Sequence, residues 1–225
     1  MKNNNKTSAI VLRRTNYGEA DRILQLLTPE GRVNAIAKGV RKEKSRLAGG
    51  IELFSICEVS ISKGRGELGV LTSARLTHFF SHIMEDYDRM QFAYSAIKLI
   101  SIASESTDAS DWFDLLSELF VGLDKNSVNF ELIESWFYLH YAALTGYELS
   151  LWKDCEGNEI VEDFKYQYDN NEKGLRLSET GELTSGHVKL LRLMATKPLK
   201  TLSQIGGIEP IIKECLFVAR QHAAV

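Results

Sequence analysis

The sequence predicts an α+β protein of two domains: a small five-stranded β-barrel over residues 1–80 and a mainly α-helical domain over residues 81–225. Three observations carry that prediction. Apolar residues alternate with polar ones before residue 80 and recur at helical spacing from about Ile83. Glycine-bearing turns punctuate the first segment at short intervals. Charge divides at the same place. Residues 1–80 hold 14 Lys+Arg against 7 Asp+Glu and residues 81–225 hold 13 against 23, a split that the net charge of −3 hides. A basic segment joined to an acidic one points to a polyanion-binding module attached to a part that faces other partners.

The elements follow in order. Residues 8–17 read as a strand rich in branched side chains, Gly18-Glu19 as a turn, and Ala20–Thr28 as a second strand. Pro29-Glu30-Gly31 is a tight-turn signal, so Arg32–Lys38 becomes the hairpin partner. A polar stretch, Gly39–Gly50, separates it from Ile51–Ser62, where Ile51, Leu53, Cys57, Val59 and Ile61 fall on one side. Leu68–Phe79 is the fifth strand. Five short strands with a long third connection fit an OB-type barrel.

The helical part begins with Met84–Ala103. Asp111–Asp124 follows, with Ser110 as its N-cap, and then the aromatic-rich Phe130–Thr145, ended by Gly146. Leu151–Leu177 is polar and reads as an insert containing a short hairpin near Phe164–Tyr168. Helices resume at Ser185–Thr196, break at Pro198, and end with Pro210–Ala223, where Pro210 suits a first turn.

Hydrophobic content of 44% and charged content of 25% are ordinary for a globular chain. No run of 18 apolar residues suggests a membrane span, and the polar start Met1–Lys6 lacks the apolar stretch of a secretion signal, so a cytoplasmic location is expected. Cys57, Cys155 and Cys215 lie far apart without CxxC spacing, which argues against a disulfide framework. Cys57 and Cys215 read as core residues.

No catalytic constellation is present. The five histidines show no metal-binding spacing, and neither a Walker loop nor a GxSxG elbow occurs. Gly64-Arg65-Gly66-Glu67-Leu68-Gly69 matches GxGxxG by letter, but it lies between strands and opens no helix, so a hairpin loop is the better reading. Neither enzymatic activity nor a cofactor is expected. What stands out is positive charge: Lys38, Arg41, Lys42, Lys44 and Arg46 in one stretch, with Arg13, Arg14, Arg32, Lys63 and Arg65 on neighbouring segments. In a barrel these can converge on one groove, the electrostatic footprint of nucleic-acid binding. A charge run can also serve solubility alone. Aromatic residues before residue 81 are few (Tyr17, Phe54, Phe79 and Phe80), which favours gripping phosphates over stacking bases.

Ala9–Arg22, which includes Gly18-Glu19-Ala20-Asp21-Arg22, resembles the opening of the RecO family of bacterial recombination mediators. So do Thr28-Pro29-Glu30-Gly31, Ala37-Lys38-Gly39-Val40-Arg41 and Lys44-Ser45-Arg46-Leu47; the helical half resembles the family more weakly, but in the right order. The resemblance implies an N-terminal OB fold, a helical C-terminal domain and no enzymatic active site. It implies binding of single- and double-stranded DNA and annealing of complementary strands. With RecR, it implies help in loading RecA onto DNA coated by single-strand binding protein (SSB), in the cytoplasm at the nucleoid.

Much of the family carries a four-cysteine zinc module. Here Asn158 stands where a second cysteine would be expected after Cys155, and residues 165–180 supply no cysteine pair, so the chain looks like the metal-free branch. The resemblance also implies that the helical domain binds the acidic, apolar tail of SSB. Lys98, Lys189, Arg192 and Lys200, beside Leu190, Leu191 and Met194, are the candidates, although each can equally be a solvated helix residue. An alternative function is a protein-binding adaptor of the repair machinery with incidental DNA contact, suggested by the acidic, aromatic-rich helical half. Strand annealing with and without SSB separates the two.

Overall fold

The computed structural model describes residues 4–63, 66, 68–104 and 111–224, with the backbone alone at Asn4 and Asn5. It divides into two compact units, Met1–Asp124 and Lys125–Val225. No helix of the described residues is long and apolar enough to cross a membrane.

In the first unit, β1 (Asn4–Tyr17), β2 (Asp21–Thr28), β3 (Gly31–Ala37), β4 (Ser55–Ser62) and β5 (Gly69–Phe79) form a closed barrel in the order β1-β2-β3-β5-β4. Pairing is antiparallel except between β3 and β5, which run parallel at Ala35↔Gly69 and Ile36↔Val70. This is a five-stranded OB-fold barrel. Strand β1 closes it. Its first half pairs with β4, from Asn4↔Ser62 to Ile10↔Ile56, and its second half pairs with β2, from Ile10↔Leu27 to Tyr17↔Asp21. A register shift between Val11 and Arg13 marks the bulge that bends it from one partner to the other.

Ala9, Val11, Leu24, Leu26, Ala35, Ala37, Cys57, Val59 and Leu71 fill the barrel, small residues alternating with large ones. Burial pushes the Cys57 thiol up to about 11, so it stays protonated at neutral pH and donates to the Ala9 carbonyl at 3.2 Å.

The fourth strand starts later than the alternation predicts. Ala48–Gly50 is a 3₁₀ turn, Ile51 is buried in the barrel cluster, and Phe54 turns the chain at φ 53° before β4 begins at Ser55. The turn lies so close to β5 that a Cβ at Gly50 would fall 2.5 Å from the Ala74 backbone. A continuous strand from Ile51 has no room there. The uncommon backbone of Phe54 is held by aromatic packing against Tyr94 and Phe120, with ring centroids 4.8 and 5.9 Å away.

A 3₁₀ turn, Ser81–Glu85, leads to α1 (Tyr87–Ala103), and α2 (Asp111–Leu123) follows. Helix α1 begins at Tyr87 rather than Met84 because Asp86 is its N-cap, accepting from the Arg89 N–H at 3.0 Å. The Ser110 cap lies outside the described residues. Both helices pack on the barrel, α1 on β1 and α2 on β1 and β2. Ile10, Leu12 and Leu27 alternate with the barrel core and are buried on the opposite side. Each contributes about 1.5–3 kcal/mol when fully buried, enough to hold the helices to the barrel. Phe80 against Phe120 at 5.6 Å adds to this contact. Buried Arg89 donates to the Leu123 carbonyl at 2.9 Å, satisfying the end of α2. Sequence texture changes at residue 80, but packing groups everything up to Asp124 with the barrel.

The second unit contains α3 (Phe130–Leu144), the hairpin β6 (Tyr166–Asp169) and β7 (Gly174–Leu177), and then α4 (Ser185–Thr196), α5 (Leu199–Leu202) and α6 (Ile212–Ala223). Asn129 caps α3 through the Leu132 N–H, and the helix stops just before Gly146. Pro210 lies in a turn ahead of α6, which starts two residues beyond it. Helix α3 packs on α4 and α6. Trp136 donates to the Lys197 carbonyl at 3.1 Å, and Arg220 meets both oxygens of buried Glu134 at 2.8 Å. Cys215 is buried, and its thiol is pushed up to about 12 by burial first and the Glu214 charge second.

Candidate nucleic-acid interface

The stretch from Lys38 to Leu47 is a built loop. Gly39, at φ 62°, turns the chain out of β3. Its N–H donates to the Asp21 carboxylate at 2.6 Å, and the Arg41 N–H donates to the Ala20 carbonyl at 2.8 Å. The Arg41 guanidinium reaches the Gly18 carbonyl at 3.3 Å. The loop therefore rests on the tip of the β1–β2 hairpin. Lys42 N–H to Gly39 carbonyl and Ser45 N–H to Lys42 carbonyl continue the turns. Val40 is buried in the barrel cluster, and half-buried Leu47 packs against it. Two apolar anchors thus hold the ends, and Lys38, Arg41, Lys42, Lys44 and Arg46 are exposed between and beside them. Among the described residues none of these five forms an ion pair.

Lys63, also exposed, follows Ser62, which pairs with Val70; Val70 in turn lies beside Ile36 near the end of β3. The β4–β5 connection thus enters next to the strand from which the basic loop leaves. Arg65 lies outside the described residues. In OB folds the β2–β3 face, with the β1–β2 and β4–β5 loops, commonly receives oligonucleotides.

The other predicted cations divide. Arg13 is exposed on β1. Arg14 is spent on Glu52 at 2.9 Å and the Ile51 carbonyl at 3.4 Å, pinning the 48–54 plug. Arg32 donates to the Ser101 carbonyl at 3.1 Å, in the last turn of α1, where a cation suits the helix dipole. Two more cations, Lys6 and Arg75, were missed by sequence reading. Both pair with Glu58, at 2.9 and 3.3 Å, and the hydrogen bond from Lys6 holds that carboxyl below its usual range.

The charge division also changes meaning in three dimensions. Residues 81–124 hold nine Asp+Glu and two Lys+Arg, and they belong to the barrel's own unit. That unit balances at sixteen against sixteen, and the second unit holds eleven against fourteen. The helices of that stretch pack against β1 and β2.

Lys98 is exposed on α1, in the first unit, and the other three tail candidates lie in the second. Lys189 pairs with Glu162 at 2.7 Å. Arg192 donates to the Leu151 carbonyl at 3.0 Å and lies over the Trp152 ring at 3.9 Å. Lys200 is exposed on α5. Leu190, Leu191 and Met194 are buried and cannot line an open slot, because α4 turns that face to the core. A cavity of about 390 Å³ lies elsewhere in this unit, among Tyr168, Glu182, Lys213, Glu214 and Phe217.

The residues around Cys155 do not fit a zinc module. Asp154 closes the 154–158 turn by accepting from the Glu156 and Asn158 N–H groups, at 2.9 and 2.8 Å. Asp169 is taken by Arg176 at 2.8 Å. Among the described residues no group of three or more His, Cys, Asp or Glu is placed to hold a metal ion.

Residues 1–80 match the family model "Recombination protein O N terminal", and residues 84–222 match "Recombination protein O C terminal". The chain belongs to the RecO family. Proteins named DNA repair protein RecO are similar to it. One from Dehalococcoides mccartyi is 36% identical over 67% of this chain and 59% of its own length. One from Heliobacterium modesticaldum is 35% identical over 83% of this chain and 72% of its own. One from Alkaliphilus metalliredigens is 28% identical over 98% and 92%. The match spans less than two thirds of the Dehalococcoides relative and 57% of one from Rubrobacter xylanophilus. The family's two-part organisation is thus present throughout this RecO chain, with the barrel and the basic loop in its first part.

Proposed function

We propose that this RecO chain is a non-enzymatic DNA repair and recombination mediator that binds single- and double-stranded DNA and anneals complementary strands. The observation that carries the reading is the anchored loop with five exposed cations lacking ion pairs among the described residues. Phosphates are its natural ligand. Of the four aromatics before residue 81, Phe54 and Phe80 are buried, which leaves Tyr17 and Phe79 as exposed rings. A surface that grips phosphates and leaves base edges free lets a second strand pair with the first.

The proposed protein partners are RecR and SSB, with RecA loading onto SSB-coated DNA as the outcome, in the cytoplasm at the nucleoid. Lys200 in the second unit, exposed and without an ion pair among the described residues, is the remaining cation there for an acidic SSB tail; Lys98 is an exposed cation of the first unit. The test is annealing of complementary oligonucleotides, naked and coated with SSB, with and without the protein. Faster annealing of coated strands supports a mediator. SSB binding without faster annealing supports an adaptor instead.

A further inference from the structure

We propose that Trp152 and Arg192 form a stacking site for an unpaired nucleobase of single-stranded DNA, in the second unit and separate from the basic loop. The proposal rests on the reading of the chain as a DNA-binding protein. Trp152 is 68% exposed, whereas the other two tryptophans, Trp112 and Trp136, are buried. Other aromatics are as open, Tyr147 and Tyr87 among them, and what distinguishes Trp152 is the cation set over its ring.

One face of the ring is covered by the Arg192 guanidinium at 3.9 Å, and Arg192 is itself held by its bond to the Leu151 carbonyl. The indole is held from its backbone side too, because the Ile160 N–H donates to the Trp152 carbonyl at 3.0 Å and Lys153 bridges to Glu159. A ring fixed this way and still 68% exposed offers a flat π-surface. A base on the face opposite the guanidinium completes a guanidinium–indole–base sandwich.

The surrounding charge suits a polyanion. Residues 183–208 contain Lys189, Arg192, Lys197 and Lys200 and no Asp or Glu, within a unit that is acidic overall. Lys189 lies about 4.5 Å before Arg192 along the axis of α4, so a phosphate beside the stacked base has a cation within reach once Glu162 is displaced. An acidic peptide fits less well. Its apolar side chain needs a slot, and Leu190, Leu191 and Met194 are closed in the core.

The distribution of tryptophans supplies the probe. All three tryptophans emit, but a base that stacks on the surface can quench by contact the exposed Trp152 and not the buried Trp112 and Trp136. The difference between the native chain and Trp152→Ala therefore isolates its share. The titrants are a thymidine oligonucleotide and an abasic oligonucleotide of equal length, at low salt. The base-bearing strand is expected to quench the emission and the abasic strand to leave it unchanged. Trp152→Ala, an exposed position, should fold normally by circular dichroism, lose the quench, and weaken thymidine binding roughly 5- to 150-fold, the value of one stacked base. The quench should persist in a chain whose basic-loop cations are replaced by Glu.

Equal quenching by both strands would show phosphate contact alone and overturn the proposal. Quenching by an Asp- and Phe-containing peptide that displaces the oligonucleotide would make this a peptide site and overturn it too. Binding without any quench overturns this inference and leaves the DNA-binding reading standing; no binding at all overturns both.

Discussion

The Asp21 carboxylate, at the tip of the β1–β2 hairpin, accepts a 2.6 Å hydrogen bond from the Gly39 N–H, at the start of the basic loop. With the Val40 and Leu47 anchors and the Arg41 bonds, this contact fixes the loop that carries five cations. A hydrogen bond to a charged group contributes roughly 1.5–3 kcal/mol. Asp21→Ala should therefore destabilise the protein by about that much. It should also speed tryptic cleavage after Lys38, Arg41, Lys42, Lys44 and Arg46. Urea unfolding and limited proteolysis check this; an unchanged cleavage rate would mean that Val40 and Leu47 alone hold the loop.

Glu134 and Arg220 make the corresponding tie in the second unit. Glu134 is nearly fully buried, and Arg220 is half exposed. Removing the arginine takes away the two 2.8 Å hydrogen bonds it donates to that carboxylate, so Arg220→Ala should cost about 1.5–3 kcal/mol. Replacing both by apolar residues of similar size, Glu134→Leu with Arg220→Met, should recover much of that loss. Urea midpoints of the three proteins decide it. A double variant no better than the single one would argue that charge is not what matters.

His140, His187 and His222 all lie in the second unit, and burial pushes each below the usual 6.5. His222 is held between the Tyr168 hydroxyl and the Tyr147 carbonyl, at 3.0 and 2.7 Å. The unfolded chain takes up protons before the folded one as pH falls. Stability is then fully present above 6.5 and declines as pH drops through that value. Melting temperature should be lower at about pH 5.5 than at about pH 7.5, a window above the range of the carboxylates. A flat profile would show the three rings protonating without hindrance.

Much of the fold was legible because local signals agreed. Pro29-Glu30-Gly31 marks a hairpin, alternation marks strands, and Ser185–Thr196 is helical from end to end. Alternation misled at Ile51 and Leu53, because a residue can be buried at every second position without being paired in a sheet; the bend at Phe54 follows from packing by Tyr94 and Phe120, which are distant in sequence. A signal for the helices covering the barrel was present in Ala9-Ile10-Val11-Leu12, apolar on both faces of one strand.

The candidate interface was legible as charge and illegible as geometry. Arg14 and Arg32 read like Arg41 in the sequence, yet Glu52 and the Ser101 carbonyl take them. Those partners lie 38 and 69 residues away along the chain. Trp152 falls within the polar 151–177 stretch, where no sequence signal marks it; its stacking on Arg192 together with its exposure sets it apart.

The central claim is that the loop anchored by Val40 and Leu47 grips DNA phosphates. The direct measurement is affinity for a single-stranded oligonucleotide across a salt series, for the native chain and for the variant carrying Arg41→Glu, Lys42→Glu, Lys44→Glu and Arg46→Glu. On single strands log K falls with log salt by about 0.7 per phosphate neutralised, so losing four contacts should flatten the slope by up to about 3 and weaken binding. Circular dichroism should be unchanged, since all four side chains are exposed. An unchanged slope would contradict the account and move the DNA site elsewhere on the barrel, to Arg13 and Lys63.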